Sequence, residues 1–429
     1  MHGRRFGIVS VLALSTVSCG DDGAAPATGS VPVAAGVAVQ VAARVPSTAD
    51  PGVAGRAIAA FGLDLFTSVR TTSTAGDNVT VSPASVSFAL AMLEPGTVGA
   101  AQAQLRSLLR IDDPATFHAS MNALQQNLQA RAPTTFSPSD DPGEVLVRIA
   151  NAAYLQRGYP FGQAYPQAVG SSYGPVLNEV DFRPDPDAVA HAINAFVADT
   201  TNDRIPHLVA DGVIRPDTVL ALVNALYLKA SWLGTFDESA TVDQQFTKLD
   251  GTAQTVPMMH GGSDSSARGN GWVGATKTYT GGLTAQFILP DDGLFDEIAT
   301  NLDRVFDDYT ANQTSPSTLA LPRFDLRFST ELTPALQALG LKAISAQNGL
   351  LGVANDPRLI VDKVIHQTDV AMDEKGTEAA AATVVLAYPT SAPVNAPVPV
   401  VLDRPFLYRI VDDQSGATLF VGQVVNPVT

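Results

Sequence analysis

The chain is poor in cysteine, histidine and basic residues. Its 429 residues include one cysteine, six histidines, and 26 Lys plus Arg against 42 Asp plus Glu, which gives a formal net charge of −16. One cysteine excludes an internal disulfide framework and any cysteine-based zinc site. The acidic balance argues against nucleic acid as a partner and leaves few basic residues for a heparin site. We therefore expect neither kind of polyanion binding.

Sequence motifs for metal and nucleotide chemistry are also missing. The histidines do not occur in His-x-x-x-His spacing, and no glycine-rich loop ends in the Lys-Ser/Thr of a phosphate-binding loop. The acidic pairs Asp291-Asp292 and Asp307-Asp308 lie near turn residues or on a helix face, which is typical of solvated surface. The sequence therefore predicts no cofactor and no metal.

The N-terminus has the pattern of an export signal. Arg4 and Arg5 precede an apolar run over residues 6–17, which is shorter than the roughly 20 residues of a membrane-spanning helix. We interpret residues 1–18 as a signal peptide. Cys19 follows small residues and resembles the lipidated cysteine of bacterial lipoproteins. Thr16 stands where such proteins usually have leucine, so ordinary secretion remains open. The protein is expected to be a membrane-anchored lipoprotein or extracellular.

A linker and one large domain follow the signal. Residues 20–52 contain no aromatic residue and many small ones, so we predict a lipid-anchored or flexible linker over residues 19–52. The whole chain is 45% hydrophobic and 16% charged, which is enough apolar sequence for a sizeable core. Only the predicted loops around 132–143, 261–271 and 386–400 interrupt residues 53–429, which we interpret as one domain.

Apolar periodicity predicts a mixed α+β fold. Ile58, Phe61, Leu65 and Val69 recur at helical spacing, and Ser82-Pro83 has the cap and first-turn residues of a second helix. Helices are also predicted over 187–200 and 333–339. Continuous or alternating apolar runs predict buried strands over 145–155, 219–228, 283–289 and 319–328, and a hairpin formed by 406–411 and 419–425.

One motif suggests hydrolase chemistry. Gly170-Ser171-Ser172-Tyr173-Gly174 fits the Gly-x-Ser-x-Gly pattern of a nucleophile elbow, in which a helix must follow the serine directly. The residues after Pro175 have an extended pattern instead. We therefore interpret the motif as a turn of small residues, and it is the only support for an enzyme.

The most informative segment is residues 374–383. Its four consecutive alanines favour a helix, but β-branched Thr383, Val384 and Val385 follow, and residues 386–400 contain four prolines. Extended, the segment directs small uncharged side chains to one face and Glu378 to the other. It could enter a sheet without burying a charge. The sequence thus predicts a proline-rich exposed loop whose base is suited to become a central strand.

This segment resembles the hinge of the reactive-centre loop in inhibitory serpins. Further motifs resemble the family in family order at residues 81–85, 151–155, 180–182, 223–232, 321–324, 366, 403–406 and 420–427. The resemblance implies the serpin fold, in which helices surround a large central mixed β-sheet with two smaller sheets. It also implies an exposed reactive-centre loop at about 374–400.

Roles for individual residues follow from the resemblance. It implies a shutter, the polar cluster beneath the opening of the central sheet, and a breach at the top of that sheet. For the shutter and breach residues, the alternative is that they are ordinary buried polar groups and a core tryptophan. The residues concerned are Glu374, Gly376, Thr377, Ala379, Ala381 and Thr383 in the hinge, Ser82, Ser85, Asn224 and His366 in the shutter, and Trp232 in the breach.

The resemblance also implies where a protease would cut. The reactive bond follows the residue sixteen places after Glu374, which is the bond between Thr390 and Ser391. A small Thr390 suits elastase-like or subtilisin-like enzymes, and no basic residue for a trypsin-like enzyme lies between Lys375 and Arg404. The stretch after Ser391 is longer than usual, so bonds near Ala392 or Ala387 remain alternatives. Tyr388 is followed by a proline and should resist chymotrypsin-like enzymes.

Three functions remain open from the sequence, and the third, an enzyme, rests on the motif at residues 170–174 alone. The first is a suicide inhibitor, without catalytic residues of its own, that forms a covalent complex with a target serine protease and is otherwise a monomer. Its insertion of the cleaved loop is favoured by the small, uncharged hinge. The second is a non-inhibitory binding or carrier protein with the same fold.

Overall fold

The structure is a computed structural model that describes residues 43–74, 76–131, 145–377 and 398–427, together with the backbone of two N-terminal strands. The helices are α1 (Pro51–Thr72), α2 (Pro83–Leu93), α3 (Gly99–Leu108), α4 (Pro114–Gln129), α5 (Ala164–Tyr173), α6 (Pro186–Thr200), α7 (Phe295–Thr300), α8 (Leu302–Ala311) and α9 (Thr333–Ala338). The strands are β1 (Ile8–Ser15), β2 (Gly36–Ala38), β3 (Val79–Val81), β4 (Leu146–Gln156), β5 (Val176–Val180), β6 (Thr218–Ser231), β7 (Val242–Thr247), β8 (Ala253–Gly262), β9 (Ser265–Gly269), β10 (Trp272–Tyr279), β11 (Leu283–Pro290), β12 (Thr318–Pro322), β13 (Phe324–Glu331), β14 (Ile360–Met372), β15 (Gly376–Thr377), β16 (Val400–Val401), β17 (Phe406–Asp412) and β18 (Thr418–Val424).

Capping residues set the starts of four of these helices. Asp50, Ser82, Asp113 and Asp185 each accept a backbone N–H at the N-cap, and a proline occupies the first turn of α1, α2, α4 and α6. The apolar stripe predicted for the first helix is buried. Among the described residues, α1 is the one helix long and apolar enough to cross a membrane, but 61% of its most apolar window is buried inside the protein.

The strands form one large and two smaller sheets. The central sheet has the order β13-β14-β1-β6-β4-β5-β2, and β15 also pairs with β6. A second sheet has the order β3-β18-β17-β11-β10-β9, and a third has the order β16-β12-β8-β7. The β4–β5 and β12–β16 pairs are parallel and the other pairs are antiparallel. This is the predicted α+β arrangement of helices with a large mixed sheet and two smaller ones.

The backbone of β1 lies in the middle of the central sheet. It pairs antiparallel with β14, from Ile8 opposite Thr368 to Ser15 opposite Ile360, and with β6, from Ile8 opposite Leu226 to Ser15 opposite Thr218. The sequence predicts that this run is part of a signal peptide and not of the fold. In the structure it supplies ladder hydrogen bonds to both β6 and β14. The position between β6 and β14 is therefore one strand wide, and we call it the slot.

The predicted linker is shorter than expected at its C-terminal end. The Arg44 Nε donates to Asn122 Oδ1 at 2.6 Å, Val45 N donates to Ser171 O at 3.0 Å, and Ser47 Oγ donates to Ala119 O at 2.7 Å. These bonds hold residues 43–50 on α4 and α5. Residues 51 and 52, also assigned to the linker, begin α1. The small, polar residues that suggested a tether instead pair with side chains and carbonyls of the domain.

Two other expectations were wrong. Residues 319–328 were predicted as one strand, but they form β12 in the third sheet and β13 in the central sheet, with Arg323 between them. Pro322 and Arg323 interrupt the apolar run and shift its alternation by one residue, and the prediction of one strand overlooked this signal. The loop predicted around 261–271 contains the end of β8 and all of β9. The loop around 132–143 and most of the loop around 386–400 lie outside the described residues.

The core has two parts. The larger part fills the space between the sheets and helices α1 to α5 and α7 to α9. The smaller part lies on the opposite face of the central sheet, under α6 and the connection that leads from α6 to β6, and Ile365 of β14 packs against it. Its fully buried members include Val180, Phe182, Ile193, Val197, Ile205, Ala221, Val223 and Ala225.

Candidate functional site

The predicted hinge lies at the end of β14. A turn over residues 373–375 reverses the chain, and β15 then pairs antiparallel with β6, with Gly376 opposite Ser231 and Thr377 opposite Ala230. The first residues of the predicted loop are thus already aligned along β6. The hinge residues Ala379, Ala381 and Thr383, the reactive bond at Thr390 and Ser391, and Cys19 lie outside the described residues.

Glu374 anchors the turn with a buried carboxylate. Only 3% of Glu374 is exposed, and its Oε1 accepts hydrogen bonds from Arg323 Nη2 at 2.5 Å and Thr241 Oγ1 at 2.6 Å. Burial alone would raise the pKa of Glu374, but the bonds from Arg323 and Thr241 outweigh it and hold the pKa below its ordinary value. The Glu374 carbonyl accepts a further bond from Phe236 N at 2.8 Å. Arg323 directly follows β12 and Thr241 directly precedes β7, so these bonds attach the hinge turn to the third sheet.

Gly376 is required by the shape of the turn. Its φ of +139° is a conformation that side chains rarely adopt, and a Cβ there would lie 2.3 Å from the carbonyl oxygen of Ala230. The Asp373 Oδ1 accepts from the backbone N–H groups of Lys375 at 2.9 Å and Gly376 at 3.2 Å. Burial raises the pKa of Asp373. These contacts bring β15 close enough to β6 to pair with it.

Trp232 covers the same turn from the end of β6. Its indole stacks on Tyr279 with ring centroids 4.0 Å apart, and its Nε1 donates to the carbonyl of Asp373 at 3.0 Å. The Tyr279 hydroxyl in turn shares a 2.9 Å hydrogen bond with Thr377 Oγ1. The residue predicted for the breach and the first hinge threonine are thus joined through one tyrosine.

Lys277 is a member of this cluster that the sequence did not reveal. It lies on β10 with 3% of its surface exposed, donates from Nζ to Gly262 O at 3.0 Å, and has its ammonium 4.4 Å from the Phe236 ring centroid. Burial lowers the pKa of Lys277 to about 8. A single lysine in a short strand carries no motif, so only the fold brings it beneath Trp232.

Three of the four predicted shutter residues lie together on one side of the slot. Ser82 N donates to His366 Nε2 at 3.0 Å, and Ser85 N donates to Ser82 Oγ at 3.2 Å. All three residues have no exposed surface. The start of α2 is therefore bonded to the middle of β14.

Asn224, the fourth shutter residue, lies across the slot on β6. Its Nδ2 donates to Asn151 Oδ1 at 2.6 Å, and Asn151 Nδ2 donates to Gln125 Oε1 at 3.3 Å. Residue 10 of β1 is opposite both His366 and Asn224, so one strand separates the two polar groups. The sequence did not indicate Gln125, because a glutamine on a helix has no distinguishing pattern.

The hydrolase-like motif has the wrong geometry for a nucleophile elbow. Ser172 lies in the last turn of α5, and Gly174 ends that helix in the left-handed conformation with a φ of +55°. A strand, β5, follows, as the extended pattern after Pro175 predicted. The part of the chain that the structure describes also contains no group of three or more His, Cys, Asp or Glu side chains arranged to hold a metal ion.

The arrangement is suited to mechanical work on a strand. The chain leaves β14 through a fixed turn and begins to pair with β6 at Ala230 and Ser231. Farther along β6, the slot lies between β6 and β14. Polar groups from α2 and β14 lie on one side of the middle of that slot, and Asn224 of β6 lies on the other side.

Comparisons with known proteins agree on one family. Residues 56–427 match the family model described as Serpin (serine protease inhibitor). The chain is 32% identical over 379 residues to an uncharacterized serpin-like protein of Thermococcus kodakarensis, with 86% of this chain and 85% of that protein covered. It is 30% identical over 386 residues to the leukocyte elastase inhibitor of Homo sapiens, with 86% and 97% covered.

Solved structures show the same fold. Tengpin, a thermophilic serpin in the native state, has a TM-score of 0.74 at 22% identity, with 90% of this chain and 97% of tengpin covered. Human thyroxine-binding globulin in complex with its ligand has a TM-score of 0.74 at 23% identity, with 89% and 100% covered. The predicted serpin fold is thereby confirmed. The relatives of this chain therefore include proteins named as elastase inhibitors, and its fold is shared by a thyroxine-binding globulin.

Proposed function

The chain belongs to the serpin family, and we propose that it is a suicide inhibitor of extracellular serine proteases that inserts its cleaved loop into the central sheet. The observation that carries this proposal is the pairing of Gly376 and Thr377 with β6. That pairing gives the loop the same direction that β1 has in the slot, antiparallel to β6. Loop insertion would therefore extend a strand that has already begun.

The length of β6 supports the proposed reactive bond. If the pairing of Thr377 with Ala230 continues residue by residue, Pro389 comes to lie opposite Thr218, the first residue of β6. Thr390 would then lie just past the far end of the strand. A protease attached to Thr390 would be carried along the whole sheet, away from the hinge.

The side chains of the loop fit that register. Thr383 would be opposite Asn224, and Glu378 would be opposite Lys229, a half-buried residue of β6. An opposite-charge pair across two strands is favourable, whereas like charges would not be. The other residues of 377–383 are small and uncharged, so the inserted strand would bury no unpaired charge.

Insertion also supplies a large driving force. A strand over residues 378–389 would gain ladder hydrogen bonds on both sides at about 1 kcal/mol each, which gives on the order of 10 kcal/mol or more. Residues 8–15 occupy the same slot, so the proposal requires the removal of the predicted signal peptide, residues 1–18. Export would then leave the slot for the loop.

The proposed chemistry belongs to the protease. Its serine Oγ would attack the carbonyl carbon of Thr390, the amide bond to Ser391 would break, and Ser391 would leave with a new amino group. The product is an ester between the protease and Thr390. Insertion that is faster than hydrolysis of this ester would trap the enzyme as a covalent complex of one inhibitor and one protease.

The proposed targets are elastase-like or subtilisin-like enzymes. A small residue at Thr390 suits their shallow primary pockets, and the relatives of pig, cow, horse and human are named as leukocyte elastase inhibitors. Cys19 would provide a lipid anchor, with simple secretion as the alternative. The protein would act as a monomer, without a cofactor, nucleic acid or heparin.

The test uses protein that lacks residues 1–18, mixed separately with pancreatic elastase, subtilisin, chymotrypsin and trypsin. Denaturing gels and intact mass spectrometry would detect covalent complexes. We expect a complex with elastase or subtilisin, a released peptide that begins at Ser391, and no complex with trypsin. A peptide that begins elsewhere would move the reactive bond.

A matched variant separates trapping from cleavage. Thr383→Arg would place a charge opposite Asn224 in the sheet, so we expect its loop to be cut at the same bond without a covalent complex. If the unaltered protein is also only cut by all four enzymes, the inhibitory proposal fails for these classes. Ligand binding, the role of a carrier, would then be the function to test.

A further inference from the structure

A cluster of two arginines and two aspartates, with Arg204 and Asp369 buried, joins the two sides of the slot on the face that α6 covers. Arg204 follows α6, Asp369 lies on β14, and Asp325 and Arg327 lie on β13. The Arg204 Nη2 donates to Asp369 and, at 2.9 Å, to Asp325 Oδ1, and Arg327 Nε donates to Asp369 Oδ2 at 2.9 Å. Asp369 is fully buried and Arg204 is 5% exposed. This four-residue group is called the clasp below.

The backbone on either side of Arg204 is fixed to α6. Arg204 N donates to Thr201 O at 3.1 Å, and Ile205 N donates to Thr201 Oγ1 at 3.2 Å. Further along, Asn194 of α6 both donates to and accepts from the backbone of Val209, at 2.9 Å and 2.8 Å. Ile205 is buried in the smaller core with residues of α6 and β6. The connection is therefore attached to α6 by hydrogen bonds and packs against β6.

The acidic partners belong to the other side of the slot. Arg327 and Asp369 are directly opposite each other in the β13–β14 pair, and Asp325 is two residues away on the same face. The clasp consequently bridges β6 and β14 although a strand lies between them. A second, more exposed bridge repeats this connection where Arg215 Nη1 donates to Asp362 Oδ2 of β14 at 2.6 Å.

The geometry of the clasp depends on the width of the sheet. Neighbouring strands are about 4.8 Å apart, so filling or emptying the slot changes the distance between β6 and β14 by about that amount. When the slot is filled, as it is here by β1, the charged atoms of the clasp are within hydrogen-bond distance of one another. Because the connection is fixed to α6, its partners cannot stay in contact in both states without movement of α6 or of the connection.

We propose that Arg204 is a positioning residue that favours the widened sheet, because its contacts with Asp369 and Asp325 are made when a strand occupies the slot. This inference rests on the proposed function, in which the cleaved loop is that strand. The clasp would increase the share of cleavage events that end with a trapped protease. It would do so without contact with the protease or the reactive bond.

The test compares two arginines that each face a buried carboxylate. Arg204→Met removes the contacts of Arg204 with Asp369 and Asp325. The control, Arg106→Met, removes a 2.6 Å contact with buried Glu94. In each variant the carboxylate retains one basic neighbour, which is His118 for Glu94 and Arg327 for Asp369. Each variant, without residues 1–18, is measured for its thermal midpoint before and after loop cleavage. The number of inhibitor molecules consumed per protease is measured as well.

The two variants should differ after cleavage. We expect Arg204→Met to lose part of the thermal gain that cleavage gives, and to consume severalfold more inhibitor per protease. Arg106→Met should lower both midpoints equally and leave the consumption unchanged. Arg204→Lys keeps the charge without the forked geometry, so it should be intermediate. It also serves as the test if Arg204→Met does not fold.

Other outcomes separate this inference from the proposed function. An unaltered protein that gains thermal stability on cleavage but traps no protease would defeat the proposed function, while the loss of that gain in Arg204→Met would still support the clasp. Equal thermal gains in Arg204→Met and Arg106→Met would overturn the clasp. Absence of any gain in the unaltered protein would overturn it too, because the loop would then never fill the slot.

Discussion

The turn that follows β14 and the last third of β14 each contain a buried carboxylate bonded to arginine, but the two carboxylates have opposite pKa shifts. Glu374 and Asp369 are five residues apart, both are buried, and both bond to arginines. The pKa of Glu374 is lowered because hydrogen bonds from Arg323 and Thr241 outweigh burial. The pKa of Asp369 is raised to about 6, because burial is stronger there and Asp325 adds a second negative charge.

The difference shows what each carboxylate contributes. Ionised Glu374 is favoured by the folded state and stabilises the hinge turn across neutral pH. Ionised Asp369 is costly to bury, and the contacts with Arg204 and Arg327 offset part of that cost. A change of charge should therefore have opposite effects at Glu374 and at Asp369.

Truncation of Trp232 should destabilise the hinge turn and cause the largest loss in the free energy of unfolding. Trp232→Ala removes the stacking on Tyr279 and the bond to Asp373, and we expect it to cost about 3–5 kcal/mol in the free energy of unfolding. Chemical denaturation measures that loss. Trp272→Ala, at a residue of β10 that is 1% exposed, is the control with equal volume.

Amide hydrogen exchange distinguishes the two tryptophans. Faster exchange at Gly376 and Thr377 is expected in Trp232→Ala alone, because only Trp232 covers the turn. If both variants speed exchange in the hinge equally, the breach contact is no more than ordinary core packing.

A pH series should sharpen the contrast between the two carboxylates. Since the folded pKa of Asp369 is about 6 and its ordinary value is 3.8, the folded state binds the proton more tightly. The free energy of unfolding of the unaltered protein should therefore rise, relative to Asp369→Asn, as pH falls from about 6 to about 4. Linkage gives a change on the order of 3 kcal/mol for that shift.

Glu374→Gln should show the reverse dependence. The folded pKa of Glu374 is lowered, so its contribution to stability is present above the ordinary pKa of glutamate and is lost as pH falls through the lower folded value. Denaturant titrations of both variants at several pH values measure the two slopes. Slopes of the same sign would contradict the assignment of opposite pKa shifts.

A methyl group at Gly376 should have a smaller effect than the truncation of Trp232. In Gly376→Ala the Cβ would be 2.3 Å from the Ala230 carbonyl, so β15 must separate from β6, at a cost of about 1–3 kcal/mol. Gly293→Ala is the control, since its φ is +80° but no atom lies within 4 Å of the added Cβ. The excess loss of Gly376→Ala over Gly293→Ala, from thermal unfolding, measures the contact with β6. No excess would mean that the pairing contributes little.

Much of the fold could be predicted because its elements have local signals. The stripe of α1 repeats at helical spacing, Ser82-Pro83 caps α2, and the apolar run of β6 is buried over its whole length except at Lys229. The hinge could be predicted for the same reason, since its residues are consecutive. The predicted shutter residues came from a resemblance to family motifs, and the structure brings Ser82, Ser85 and His366 into contact.

The remaining features depend on contacts between distant parts of the chain. Arg204 and Asp369 are separated by 165 positions, and no pattern near either residue indicates the other. Alternation predicts which face a strand buries but not which strand is its neighbour, so the assignment of β12 and β13 to two different sheets could not be predicted. The ordered segment 43–50 has a composition typical of a tether, and only its pairing with α4 and α5 distinguishes it.

The fixed register between β15 and β6 makes β6 a ruler for the loop. On the proposed function, each residue added between Thr377 and the reactive bond would place the bound protease about 3.3 Å farther from the end of the sheet. Substitutions at Thr390 leave that distance unchanged. Substitutions at constant loop length would therefore change which protease cuts the reactive bond, whereas insertions and deletions would change the final position of the bound protease.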